Sequence, residues 1–270
     1  MKISNFSLLA FALGLLLSVT AEMPAQVQAH SGTPILAYHR FDPVKSGSTT
    51  VTTATLESQL TWLVEHNYTV VPLAQVIATV RGSEPAPLHT IAITVDDGHV
   101  SVFTILFPII QKYRIPVTLF IYPSAISHAS YALTWNELKQ MKASGLVDIQ
   151  AHTYWHPDFH KEKARLSPDE YNKFVTNQLV LSKAVLEQRL GSQITLMAWP
   201  YGIYDHDLEQ AAAHAGYTAS FAYAGGVALP GDDPFAIPRI PAGNYAHGDA
   251  FGTMLSDAQA HPNGTTAGIE

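Results

Sequence analysis

The feature that most constrains how this chain can fold is an alternation of two kinds of segment. Short runs rich in β-branched and apolar residues occur at 34–38, 69–71, 90–95, 117–122, 147–151, 194–198 and 218–221. Between them lie longer stretches with helical character at 56–66, 100–113, 135–144, 168–190 and 207–215. Thr53, Thr55 and Thr134 stand where helix N-caps belong, and Gly145, Gly191 and Gly216 where helices end. About seven strands alternating with helices call for parallel strands joined by crossover helices. Strand number and chain length predict an α/β fold, a distorted (β/α)7-8 barrel in one domain, with an open doubly wound sheet as the alternative. In both architectures ligands collect at the C-terminal ends of the strands. Candidate functional residues are therefore the ones that follow each run.

The two ends of the chain read differently from this middle. Lys2 precedes an almost wholly apolar run at 6–19, shorter than the roughly 20 residues that span a bilayer, and Val27-Gln28-Ala29 fits a cleavage site. We expect residues 1–29 to be a cleaved signal peptide, with a retained membrane anchor as the alternative. The expectation is a periplasmic or secreted protein without stable membrane insertion, with its folded domain at 30–245. The stretch 246–270, rich in Gly, Ala, Asn and Thr, is expected to be a loosely ordered tail. The chain has no cysteine, so any metal must be held by imidazole and carboxylate. A net charge of −7 with 15 Lys plus Arg and no basic cluster argues against a nucleic-acid partner. A monomer is expected.

Polar clusters do follow the runs. His39 closes the first, Asp96-Asp97-Gly98 the third, His152-Thr153-Tyr154-Trp155-His156 the fifth, and Trp199-Pro200-Tyr201-Gly202 the sixth. Neighbouring side chains on an extended segment point in different directions, so one of the paired carboxylates could bind a metal while the other faces a substrate. A turn with a helix cap is the plain alternative. His-x-x-x-His by itself is weak in a chain with 13 histidines, but here it sits directly at a strand end. Two neutral imidazoles and one carboxylate make a facial ligand set with open positions for water and substrate.

These residues resemble the polysaccharide deacetylases of carbohydrate esterase family 4, the NodB homology domain, over most of 34–241. The resemblance implies that Asp96 is the catalytic base and that Asp97, His152 and His156 hold one divalent metal ion, zinc first, with cobalt, nickel or iron as alternatives. Val95 replaces the Phe usual in that family's Thr-Phe-Asp-Asp-Gly motif. Trp199, Pro200 and Tyr201 resemble the motif that lines the substrate groove, which implies that the Tyr201 N–H meets the developing oxyanion. Read alone, Trp199-Pro200-Tyr201-Gly202 fits a buried turn. The reaction implied is hydrolysis of N-acetyl groups on a polysaccharide.

The chain also departs from the family. Ile194-Thr195-Leu196-Met197 stands where an Arg usually orients the catalytic Asp, and no late Leu-x-His supplies a general acid. The fourth-motif Trp and Asp are not evident either. Pro34-Ile35-Leu36-Ala37-Tyr38-His39 is similar to an early Tyr-His of the branch that deacetylates poly-β-1,6-N-acetylglucosamine, which makes His39 the candidate general acid, or else a structural histidine. Arg239, in Pro238-Arg239-Ile240-Pro241, is grouped with the substrate-side residues as a substitute for the missing arginine, an ordinary salt bridge being the alternative. Tyr122, Trp155, Phe159, Trp199 and Tyr201 are candidates for stacking on sugar rings. Two rival functions stand beside deacetylation: a non-catalytic carbohydrate binder on the same scaffold, and a non-haem iron enzyme using the same ligand set.

Overall fold

The computed structural model describes residues 32–85 and 87–262. The expected signal peptide lies outside them. Ten strands are present: β1 (Ile35–Tyr38), β2 (Arg40–Asp42), β3 (Thr50–Thr52), β4 (Thr69–Val70), β5 (Thr90–Asp96), β6 (Val117–Ile121), β7 (Val147–Ala151), β8 (Leu196–Ala198), β9 (Ala219–Phe221) and β10 (Ile240–Pro241). The helices are α1 (Thr53–Glu65), α2 (Leu73–Val80), α3 (Phe107–Tyr113), α4 (Trp135–Ala143), α5 (Phe159–Arg165), α6 (Pro168–Leu190), α7 (His206–His214) and α8 (Asp249–Ala260).

The main sheet runs β10-β1-β5-β6-β7-β8-β9, with β4 beside the start of β5, and its ladders are parallel. Parallel strands covered on both faces read as nearly continuous apolar runs, and β5 and β6 are buried along their whole length. A parallel bridge between Phe221 and Ile237 joins β9 to the segment that leads into β10. The sheet thus curls back on itself, and the distorted parallel barrel expected from the alternation is the fold.

Side-chain alternation divides the core in two. Ile93 and Val95 of β5 pack outward under the helices with Leu36, Tyr38, Leu119 and Ile121. Ala92 belongs to a separate cluster with Ile35, Phe120, Ala198 and Phe221. With a period of two, Thr94 and Asp96 share the face of Ala92, so the strand carries Asp96 into the mouth of the barrel.

Helix boundaries follow local chemistry. Thr52, not Thr53 or Thr55, caps α1 by accepting from the Thr55 N–H, and Thr134 with Glu137 forms a capping box on α4. The expected helix over 100–113 is instead a π turn, Val102–Leu106, followed by α3. Pro108 lacks the N–H that a regular helix would need there. Three helices escaped the periodicity, namely α2, α5 and α8.

The last of these corrects the expectation of a loose tail over residues 246–262; the rest of that stretch, 263–270, lies outside the described residues. Phe251 and Leu255 are buried, and Phe251 meets Trp62 of α1 edge-on at 5.6 Å. Small residues hide this face in the sequence, yet they are what lets α8 approach. A Cβ on Gly252 would stand 2.5 Å from Cζ2 of Trp62. No helix among the described residues is long and apolar enough to cross a membrane.

Candidate active site

β5 ends at Asp96, and the chain then turns sharply because Asp97 and Gly98 both take positive φ, 73° and 77°. That reversal, rather than pleat alternation alone, separates the two carboxylates. Asp96 stays on the barrel-facing side, and Asp97 swings toward the end of β7. His152 follows β7 directly, and its backbone N–H donates to the Ile121 carbonyl at 2.8 Å. Thr153 and His156 again take left-handed φ, 61° and 64°, and the His156 N–H donates to Oγ1 of Thr153. The His-x-x-x-His segment is therefore a tight loop and not a helical turn. Strained backbone at these positions costs of order 1–3 kcal/mol per residue and persists where surrounding structure enforces it.

The loop brings three ligand atoms together. His152 Nε2 lies 3.7 Å and His156 Nε2 3.6 Å from Oδ1 of Asp97, and ligand atoms of the three residues lie within 4.8 Å of one another. Nδ1 of His152 is 2.8 Å from the Ala198 carbonyl, which can only accept, so this nitrogen carries the proton and Nε2 keeps its lone pair toward Asp97. Burial lowers the His152 pKa to about 3 and also lowers that of His156, so both rings are neutral at physiological pH. Burial raises the Asp97 pKa, opposed by His39 and reinforced by the Asp96 charge. Its Oδ1 is buried and has no hydrogen-bond partner among the described residues. An orphaned carboxylate oxygen facing two imidazole nitrogens fits a divalent cation, and the nitrogen and oxygen donor set suits zinc.

Asp96 is treated in the opposite way. Arg239, 0% exposed, grips it with both arms: Nη1 donates to Oδ1 at 2.7 Å and Nη2 to Oδ2 at 2.8 Å. Nη1 also donates to Oγ1 of Thr94 at 3.1 Å, Thr94 donates to the Leu36 carbonyl at 2.8 Å, and Nε of Arg239 donates to the Ala222 carbonyl at 3.0 Å. Burial works against the Asp96 charge, but the charge and hydrogen bonds of the Arg239 guanidinium lead the effects that outweigh it and hold the carboxyl well below the ordinary carboxylate range. Oδ2 remains 3.9 Å from Nε2 of His152, beside the three ligands.

The structure brings His39, Asp96, Asp97, His152 and His156 to one mouth of the barrel. His39 is half-buried, close enough to act electrostatically on both carboxylates, and its ring meets Tyr223 edge-on at 5.4 Å. Other expectations need correction. Arg239 does not stand on the substrate side; fully enclosed beneath Asp96 and paired with both of its oxygens, it sits where a substitute for the missing orienting arginine would, in an ion pair. Trp199, 1% exposed, donates through Nε1 to the Phe235 carbonyl, Pro200 is buried, and Phe159 packs edge-on against Trp199 in the core. Those rings cannot stack on a sugar. Tyr201, with φ 57°, is 64% exposed and packs against His156 at 4.6 Å.

Three features of the site were not read from the sequence. Thr94 needed only the period-two rule applied backward from Asp96. Tyr223 lies two residues past the end of β9, so the rule that functional residues follow strands would have singled it out. Tyr131, whose hydroxyl lies 2.9 Å from that of Tyr122, comes from a long loop and carried no signal.

Comparison with known proteins agrees with this geometry. The polysaccharide deacetylase family matches residues 83–220, just over half of the chain. The chain is 28% identical over 247 residues to the poly-β-1,6-N-acetyl-D-glucosamine N-deacetylase of Staphylococcus epidermidis, covering 82% of this chain and 81% of that protein. Among solved structures, IcaB from Ammonifex degensii superposes with a TM-score of 0.73 at 24% identity, over 85% of this chain and 97% of the other. The Streptococcus pyogenes deacetylase PplD, solved with acetate, gives 0.73 at 23% identity, over 83% and 98%. These two likenesses bear on the fold, which they share with this chain. With the family match added to the barrel and its strand-end carboxylates and imidazoles, the chain belongs to the polysaccharide deacetylase family.

Proposed function

We propose that this protein is an exported, monomeric, metal-dependent hydrolase that removes N-acetyl groups from poly-β-1,6-N-acetylglucosamine or a closely related N-acetylglucosamine polymer. The observation that carries the metal assignment is the buried, unpartnered Oδ1 of Asp97 facing His152 and His156. The relative from Staphylococcus epidermidis, together with the early Tyr38-His39, supports the choice of glycan.

In this reading Asp97, His152 and His156 hold the ion, zinc being the first choice. Bound there, a divalent cation supplies Lewis acidity toward the acetyl carbonyl and the attacking water. Asp96 accepts the water's proton. Arg239 fixes the direction of the Asp96 carboxylate and keeps it ionised, so the base is always in its reactive form. The Tyr201 N–H, at the exposed turn beside His156, donates to the oxyanion that forms as water adds to the carbonyl carbon, a contribution of about 3 kcal/mol for a preorganised donor. His39 gives a proton to the nitrogen as the carbon–nitrogen bond breaks, and acetate and a free amine leave.

The test is acetate release from β-1,6-linked N-acetylglucosamine oligomers, with and without prior chelation. Activity that survives complete metal removal would sink the metal assignment. Asp96→Asn should stop turnover and keep the metal. If it loses the metal while Asp97→Asn retains it, the two carboxylates have been assigned in reverse.

A further inference from the structure

Asp96 and His39 stand at the two ends of the proton path, and the fold holds them in different ways. Asp96 is gripped directly by Arg239. The His39 imidazole makes no hydrogen bond among the described residues, and the ring that meets it is Tyr223, with centroids 5.4 Å apart and an interplanar angle of 89°. A proton donor that must reach one nitrogen of a departing amine needs a fixed direction. An imidazole free to turn would spend only part of its time in that direction.

Tyr223 is itself held from three sides. The residue before it, Ala222, donates its N–H to the Ile237 carbonyl at 2.9 Å and accepts at its own carbonyl from Nε of Arg239 at 3.0 Å. Two residues after it, the Gly225 N–H donates to the Arg239 carbonyl at 3.0 Å. The loop that bears Tyr223 is therefore closed on Arg239 at both ends. The third side is the turn that carries Tyr201. A Cβ on Gly202 would stand 3.0 Å from both N and Cβ of Tyr223, so this turn lies against the Tyr223 backbone with no side chain between. Burial, followed by the Asp96 charge, pushes the Tyr223 hydroxyl up to about 12, so the ring stays neutral beside His39.

We propose that Tyr223 is a positioning residue for His39: its ring, set in place by Arg239 and by the turn at Gly202, fixes the direction in which the imidazole presents its proton to the leaving nitrogen. The inference rests on the deacetylase reading above and deepens it. Edge-on aromatic pairs are directional, because the positive rim of one ring seeks the negative face of the other. Such a contact selects one orientation of the imidazole and leaves its nitrogens free for proton transfer. Arg239 then serves both halves of the reaction, the base through its guanidinium and the acid through the loop that its Nε and carbonyl close.

The experiment compares two substrates of the metal-loaded enzyme: an N-acetylglucosamine oligomer, whose amine leaves only with a proton, and 4-nitrophenyl acetate, whose phenolate leaves without one. Tyr223→Ala should lower kcat on the oligomer about tenfold, part of the cost of losing His39 itself, with KM changed by less than about twofold. The ratio of oligomer to ester turnover should fall by the same factor. Tyr223→Leu, which fills the space without a ring, should behave alike, and Tyr223→Phe should recover most of the loss. In a His39→Ala background, Tyr223→Ala should cost less than about twofold more, since a residue that acts through another has no effect once that other is gone. Crystal structures should show the His39 imidazole in several orientations in Tyr223→Ala and in one in Tyr223→Phe. Equal losses on both substrates, a Tyr223→Phe as impaired as Tyr223→Ala, or additive losses in the double variant would overturn the proposal. If wild type releases no acetate from any oligomer while His39 loses its single orientation only without the Tyr223 ring, the positioning stands and the deacetylase reading fails.

Discussion

Asp96 and Asp97 are neighbours in sequence and opposites in environment. Every oxygen of Asp96 meets the Arg239 guanidinium, whereas Oδ1 of Asp97 is buried and meets nothing that donates. Removing water from a carboxylate costs several kcal/mol unless something replaces it. For Asp96 the fold supplies the replacement. For Asp97 it supplies two imidazole nitrogens beyond hydrogen-bond distance, an arrangement suited to a cation between them. The floor of the site is thus complete in the chain alone, and its open side is built for a missing charge.

The largest expected effect comes from breaking the open side. Asp97→Asn should lower acetate release by at least about 10³-fold, roughly 4 kcal/mol in the barrier, with loss of bound metal by elemental analysis. The metal-free variant should melt no lower than metal-free wild type, because burial already disfavours the Asp97 charge. A metal-free Asp97→Asn protein that melts well below metal-free wild type would mean that Asp97 has a partner the contrast denies it.

Breaking the floor should act on folding. Arg239→Ala leaves Asp96 buried without its counter-charge and should cost about 3–5 kcal/mol in chemical denaturation. Adding Asp96→Ala to it should recover part of the loss. If the single variant is as stable as wild type, the floor is not the completed half of the site.

His39→Ala should keep metal and fold and lower kcat about 10²-fold, the usual scale for losing a general acid. An unchanged kcat would return His39 to a structural role. The mildest change is Thr94→Val, which removes the hydroxyl between Leu36 and Arg239 and should cost about 1 kcal/mol in stability, with a small drop in kcat as Asp96 loses some of its alignment. Comparing kcat with the denaturation midpoint separates the two effects.

How far each part could be read in advance depended on how local its cause was. β7 (Val147–Ala151) and α6 (Pro168–Leu190) match the sequence reading residue for residue, since a buried strand and a long capped helix carry their signals internally. α8 was taken for a loose tail because its buried face is Phe251, Gly252 and Leu255, a pattern with meaning only opposite Trp62. Among site residues, the grouping of Asp97, His152 and His156, which could hold a metal, was legible in their placement at strand ends. Trp199 and Phe159 are groove candidates in the sequence and core residues in the fold, because an aromatic looks the same in sequence whether it lines a groove or fills a core.

The alternation of segments, the absence of cysteine and the placement of Asp96, Asp97, His152 and His156 after parallel strands were properties of the sequence. They determined the barrel, the mouth where chemistry collects, and that a candidate metal site would be of imidazole and carboxylate only. Tertiary structure decided which carboxylate is satisfied and which is left open. That choice depends on Arg239, 143 positions from Asp96 along the chain and brought under it only when the segment joining β9 to β10 seals the barrel. Electrostatic partners act through distance in space, and closing a barrel makes the ends of a chain neighbours.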